Sequence, residues 1–341
     1  MEIEKIVLLV NNPASFNRFQ LSSWHLQHLY IPRKLQDFDT IELEVLDLVA
    51  NGNQTDSYVL TSNSVIITVA KQYRLVLVID TSMSMKSTDG KVLSSIAFET
   101  ACKTLRGLCQ PFHITHSLTN KVTEINPKLV VTIIGDGCCD LHFRVFVHHQ
   151  PVDVQNLLEI AEIVYCSITE FENETLDASK DTSYPTIELH TNIQQSNLRF
   201  LDLGLNALRL LPLDSLPIII YITDGVSTTH GSSIPRELCR RVAKHYINFG
   251  IIQVGSGLGF TPTVSLGHIP NQEFMKFLAD ATAGFFLYSD DCPYIDETST
   301  VPNIYHKIFS MKVNQLATVT DHDGIHKIDF GLKHRFDIHF N

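Results

Sequence analysis

Asp80, Ser82 and Ser84 stand at alternate positions directly after the apolar run Leu75-Val76-Leu77-Val78-Ile79, giving one carboxylate and two hydroxyls in the pattern D-x-S-x-S. In extended backbone, residues two apart point the same way, so the three oxygens can converge on one hard cation such as Mg²⁺. The run before them is rich in Val, Leu and Ile without polar alternation. That pattern suits a strand covered on both faces, as in a parallel α/β sheet, where ligands gather at the carboxyl ends of the strands. The competing local role for these groups is the capping of turns and helix N-termini. Mg²⁺ prefers octahedral oxygen coordination and keeps waters, so a site of this kind can leave a position for a partner's Asp or Glu.

The elements that must carry this loop follow from periodicity. Gly90 and Lys91 lead into a helix whose Leu93, Ile96, Ala97, Ala101, Leu105 and Leu108 repeat every 3.6 residues, with Pro111 as its stop. The apolar runs 129–134 and 143–147 flank Gly135-Asp136-Gly137 with no room for a crossover helix, which predicts an antiparallel hairpin. Asp153 is set to cap a helix reaching about Glu172, with Leu157, Leu158, Ala161, Val164, Ile168 and Phe171 on one side. A polar loop over 173–195 follows. Ser196 then caps a helix with Leu201, Leu205, Leu208 and Leu211, and Pro212 ends it before the apolar run at Ile218. A helix over 235–249, a strand over 251–254, a helix over 271–281 and a strand over 285–288 complete the alternation. The fold class is therefore α/β: a doubly wound, mostly parallel sheet with one antiparallel edge strand, preceded by a small α+β segment.

Three regions are expected. Residues 1–72 form the α+β lead-in, with apolar runs at 6–10, 41–48 and 65–69 and an amphipathic patch at 16–35. Because 65–70 lies so close to the Leu75 strand, it is expected to pair with that strand or continue it, and so to join the main sheet. The core domain takes 73–290. The remainder, 291–341, is a carboxyl-terminal extension with one helical stretch at 304–316, an incomplete domain whose alternating His, Phe and charge over 333–341 suggest a strand of a longer protein.

The D-x-S-x-S loop, the second apolar run Ile218-Ile219-Ile220-Tyr221-Ile222-Thr223-Asp224-Gly225 and the hairpin together resemble the von Willebrand factor A family. The resemblance implies a metal-ion-dependent adhesion site in which Asp224 lies beside Asp80, Ser82 and Ser84 with Mg²⁺ as the cation. It also implies a further hydroxyl from the region before the preceding helix, where Thr191, Asn192 and Ser196 stand; Ser196 or Thr191 is the candidate. A narrower set is similar to the amino-terminal region of the seizure-threshold scaffold family of the KICSTOR complex, over residues 1–290. Its motifs are Leu43-Glu44-Val45-Leu46, Ala70-Lys71-Gln72-Tyr73-Arg74, Leu105-Arg106-Gly107-Leu108-Cys109-Gln110-Pro111-Phe112 and Ile222-Thr223-Asp224-Gly225-Val226. This second resemblance implies a scaffold that recruits the GATOR complex to lysosomes and restrains amino-acid-dependent TOR kinase signalling, with KICSTOR and GATOR components as partners.

Composition narrows the function classes. Of 341 residues 44% are hydrophobic, ample for a packed core. Lys and Arg total 26 against 37 Asp and Glu, and the net charge of -11 opposes phosphate backbones and anionic lipid, so nucleic acid is not an expected partner. No apolar stretch reaches the length of a membrane span, and 6–10 is too short for a signal-peptide core. The expected location is the cytoplasm, with membrane association, at the lysosomal surface, only through partners. Seven cysteines, an odd count with no C-x-x-C, fit reduced thiols. The adjacent pairs Cys138-Cys139 and His148-His149 fall on the hairpin, where neighbours face opposite ways and cannot easily share a metal. Gly255-Ser256-Gly257-Leu258-Gly259 fits neither a dinucleotide loop, because Phe260 takes the third glycine's position, nor a hydrolase elbow, because Val254 replaces the first glycine. The reading is a non-catalytic scaffold or interaction module. Its alternatives are another intracellular von Willebrand A protein that binds an acidic partner through Mg²⁺ in trafficking or complex assembly, and a metal-dependent hydrolase using Asp80 and Asp224.

Overall fold

The computed structural model describes residues 2–11, 43–51, 59–86, 93–117, 119–137, 143–180, 199–225, 247–254, 271–281, 284–291, 308 and 310–312. In chain order the described strands are β1 (Glu2–Val10), β2 (Leu43–Asn51), β3 (Val59–Ala70), β4 (Gln72–Asp80), β5 (Phe112–Thr115) and β6 (Val122–Ile125). They continue with β7 (Lys128–Asp136), β8 (Phe143–Val152), β9 (Leu216–Thr223), β10 (Asn248–Gln253), β11 (Phe285–Tyr288) and β12 (Ser310–Lys312). The described helices are α1 (Leu93–Cys109), α2 (Leu157–Lys180), α3 (Arg199–Leu208) and α4 (Gln272–Ala281).

Six strands form the central sheet in the order β11-β10-β9-β4-β7-β8. The pairs β4–β7, β4–β9, β9–β10 and β10–β11 are parallel, and β8 runs antiparallel to β7 at the edge. Mixed α/β with a largely parallel sheet and one antiparallel edge is thus the architecture, as the hairpin predicted. The β4 run explains its central place. Leu75, Leu77 and Ile79 enter one core with α1 and α2, while Val76 and Val78 enter the other with Phe200, Leu201, Leu205, Met275 and Leu278 of α3 and α4. A side chain of this size contributes roughly 2 kcal/mol on full burial, so a run buried on both faces holds the strand and brings Asp80 to its carboxyl end. At Gly204 of α3 an added Cβ would meet the Ile219 side chain at 2.9 Å, so glycine lets the helix lie close on β9.

Four expectations are corrected. Segment 65–70 does not join the central sheet: β3 pairs with β1 on one side and β12 on the other, in a separate sheet of order β12-β3-β1-β2. A strand has two hydrogen-bonding edges, and both are taken, although Lys71 alone separates β3 from β4. Second, the stretch at 304–316 contains β12 rather than only helix. Third, α2 reaches Lys180, through part of the expected loop, and Leu158 is 82% exposed. The buried stripe is Leu157, Ile160, Val164 and Ile168; Leu158 is one residue, about 100°, off that face. Asp153 does cap the turn before α2, its Oδ1 accepting from the N–H groups of Gln155 at 2.9 Å and Asn156 at 2.8 Å. Fourth, Asn248 and Phe249, assigned to a helix, open β10. The amphipathic patch at 16–35, the Ser196 cap, Cys138-Cys139 and the Gly255–Gly259 loop lie outside the described residues. No described helix is long and apolar enough to cross a membrane.

Candidate cation site at the carboxyl ends of the strands

Three neighbouring apolar runs end in an aspartate on the same rim: Asp80 closes β4, Asp136 closes β7, and Asp224 follows β9. Register aligns them, since Asp80 lies opposite Asp136 and Ile79 lies opposite Ile222, which brings Thr223 to Asp80. The Thr223 hydroxyl donates to Asp80 Oδ2 at 2.6 Å in a buried contact across 143 residues of sequence. The other carboxylate oxygen, Oδ1, accepts from the Ser82 N–H at 2.9 Å. Ser82 Oγ and Ser84 Oγ lie 2.9 Å apart. Beneath them the short 3₁₀ turn Met83–Lys86 buries Met85, which anchors the loop in the core. The Thr81 N–H donates to the Asp136 carbonyl at 2.9 Å and ties the loop to β7. After Asp224 the chain turns through Gly225 at φ 84, a left-handed conformation that glycine alone adopts without strain, and the Gly225 N–H donates to Thr223 Oγ1 at 3.1 Å.

The electrostatics favour a cation. Burial and, after it, the Asp224 carboxylate push the Asp80 carboxyl up to about 6, against the hydrogen bonds from Thr223 and Ser82 that pull it down. Tyr221 is raised well above its ordinary value by burial first and then by Asp80 and Asp136. Its ring stacks on Phe200 with centroids 3.9 Å apart, which fixes α3 against this end of β9. A buried carboxylate whose proton affinity is raised by a second carboxylate beside it is relieved by a bound positive charge.

Of the residues the sequence singled out, the structure brings Asp80, Ser82, Ser84 and Asp224 to one rim. Thr191, Asn192 and Ser196 lie outside the described residues. Sequence reasoning missed two neighbours, Thr223 and Asp136. A signal for Asp136 was present, because its strand ends in an acid as the other two do, but it was read only as a turn residue. Among the described residues no three His, Cys, Asp or Glu side chains form a metal-holding group, so a cation here depends on hydroxyls beside the carboxylates. The all-oxygen donor set fits a hard cation such as Mg²⁺. His148 and His149 are exposed on β8 with ring centroids 6.2 Å apart.

No family model matches the chain. Among solved structures it is similar to BatB from Bacteroides thetaiotaomicron, at 14% identity over 63% of this chain and 89% of that one with a TM-score of 0.35. It is similar also to the manganese-loaded TRAP protein of Plasmodium vivax, at 15% identity over 64% of this chain and 68% of that one with a TM-score of 0.32. A third is the SpRpn10 VWA domain, at 12% identity over 72% of this chain and 93% of that one with a TM-score of 0.31. Overlaps at this level carry no activity across. The strand order and the rim define the class: a parallel sheet with one antiparallel edge, a D-x-S-x-S loop on a central strand and T-D-G on its neighbour, the von Willebrand A-like arrangement.

Proposed function

We propose that this chain is a non-catalytic scaffold, a protein-interaction module whose central domain presents a cation-assisted docking site. The observation that carries the reading is the Thr223–Asp80 hydrogen bond, which locks the T-D-G segment against the D-x-S-x-S loop at the carboxyl ends of two adjacent strands. Asp80, Ser82, Ser84 and Asp224 would hold Mg²⁺, with Ser196 or Thr191 as a further hydroxyl. The cation would supply a positive charge to which an Asp or Glu of a protein partner can bind. Asp80 and the serines would supply oxygen ligands to the cation; no bond of the partner need break.

The finer reading rests on the motifs 43–46, 70–74, 105–112 and 222–226, similar to the KICSTOR scaffold family. On that reading the chain works in the cytoplasm, meets KICSTOR and GATOR components, reaches the lysosomal surface through them, and restrains TOR kinase signalling when amino acids are scarce. The test is affinity purification of the tagged chain from cells, with Mg²⁺ or with chelator, beside Asp80→Ala. Recovery of KICSTOR or GATOR components that chelation and Asp80→Ala both remove supports the reading. A bound set lacking all of them sinks the KICSTOR assignment. Calorimetry showing no Mg²⁺ or Mn²⁺ binding by wild type at millimolar cation sinks the docking site itself.

A further inference from the structure

Gln253 closes β10 two strands away from Asp80 and is 0% exposed, yet neither its carboxamide oxygen nor its nitrogen has a hydrogen-bond partner among the described residues. Fully buried polar side chains are nearly always paired, and leaving both ends of an amide unpaired costs stability, so such a group marks a ligand contact or a strain reservoir. Its placement decides between these. Gln253 lies opposite Thr223 on one side and Tyr288 on the other. Residues on either side of it, Ile252 and Val254, enter the core beneath α1 and α2, whereas Phe249 and Ile251 enter the core beneath α3 and α4. Strand alternation therefore turns Gln253 toward α3 and α4. Thr223 turns the same way, because Ile219 enters that core while Ile218, Ile220 and Ile222 enter the other. The result is one polar row along the rim, Asp136, Asp80, Thr223, Gln253 and Tyr288, carried by five consecutive strands. The Tyr288 hydroxyl donates to Gln272 Oε1 at 3.4 Å.

We infer that Gln253 is a positioning residue of the cation site: its carboxamide oxygen accepts a hydrogen bond from a water carried by the cation held at Asp80 and Asp224. This rests on the cation reading above. Two strand spacings put β10 about 10 Å from β4, too far for direct ligation from a shared centre but within reach of a cation-bound water. Mg²⁺ characteristically keeps such waters.

The test is calorimetric titration of the full chain with Mg²⁺, with melting followed in the presence and absence of cation, for wild type, Gln253→Met and Gln253→Glu. Gln253→Met should bind Mg²⁺ about tenfold more weakly. Without cation it should melt above wild type, because the unpaired amide is gone. Gln253→Glu should melt below wild type without cation and gain more from Mg²⁺ than wild type does. Unchanged Mg²⁺ affinity in Gln253→Met overturns the inference, and so does weaker affinity accompanied by a lower cation-free melting temperature, which marks a purely structural role. Wild type that binds no Mg²⁺ overturns it together with the docking site, whereas binding by wild type with an indifferent Gln253→Met removes the inference alone.

Discussion

Two carboxylates almost closed to solvent, Asp47 at 3% exposure and Asp80 at 5%, lie at different depths, Asp80 the deeper, and meet opposite surroundings. Asp47 lies on β2 in the amino-terminal sheet, where Lys5 Nζ stands 3.0 Å from it and the N–H and hydroxyl of Ser117 donate to its Oδ1 at 2.9 and 2.7 Å. Burial alone would raise its carboxyl, but the Ser117 hydrogen bonds and Lys5 outweigh that and hold it below the ordinary range. Asp80 takes its hydrogen bonds from Thr223 and Ser82, has no cationic side chain acting on it among the described residues, and has a second carboxylate beside it, so burial and Asp224 raise it to about 6. The protein answers the Asp47 charge from within and leaves the Asp80 charge for something else to answer. A satisfied carboxylate staples the β5–β6 hairpin to the first sheet, whereas an under-compensated one is where a cation gains most.

Removing each group tests the contrast. Asp47→Ala should lower the unfolding free energy by about 3 kcal/mol at neutral pH, since it removes the charge-assisted hydrogen bonds that a buried carboxylate takes from Ser117 and Lys5, as read from urea midpoints. The sign with pH follows from the lowered carboxyl: its stabilisation is present above the ordinary carboxylate range and is lost as pH falls through the depressed value. The gap between Asp47→Ala and wild type should therefore close in acid. An Asp47→Ala protein as stable as wild type at pH 7 would show that the staple is ornamental.

Asp80→Asn should do the reverse, raising the cation-free stability by about 2 kcal/mol at pH 8 while abolishing any melting-temperature rise with Mg²⁺. Here the folded carboxyl is raised, so its contribution is fully present below about 4 and is lost as pH climbs through about 6. The advantage of Asp80→Asn should thus vanish in acid and appear in full above neutrality. Destabilisation by Asp80→Asn at pH 8 would mean that Thr223 and Ser82 already satisfy the carboxylate as completely as Lys5 and Ser117 satisfy Asp47.

The smallest effect is expected at the joint between the two loops. Thr223→Val keeps the shape and deletes the donor to Asp80, which should weaken Mg²⁺ binding about fivefold, equivalent to about 1 kcal/mol. With one donor fewer, the Asp80 carboxyl should rise further, so the pH at which cation binding reaches half its maximum should move upward in the same titrations. An unmoved pH midpoint would break the link between Thr223 and the site.

The sequence by itself determined most of the described elements of the central sheet, though not the start of β10 or the β5–β6 hairpin, and the local spacing of the site. Uninterrupted runs of Val, Leu and Ile could only be strands covered on both faces; the short span between 134 and 143 could only turn back as a hairpin; and the period-two spacing of Asp80, Ser82 and Ser84 set three oxygens on one side of a loop. Each of these is a short-range consequence of backbone geometry and hydrophobic burial. What the chain could not show was which strand lies next to which. β3 and β4 are neighbours in sequence but belong to different sheets, because β3 has both edges occupied by β1 and β12, the latter some 240 residues downstream. The contacts Thr223–Asp80 and Lys5–Asp47, and the alignment of Gln253 with Thr223, arise in the same way. Strand order is settled by how helices cover the two faces of the sheet, so partners far apart in sequence meet only when the whole domain packs, and it is that packing which makes one buried aspartate a staple and the other a candidate ligand.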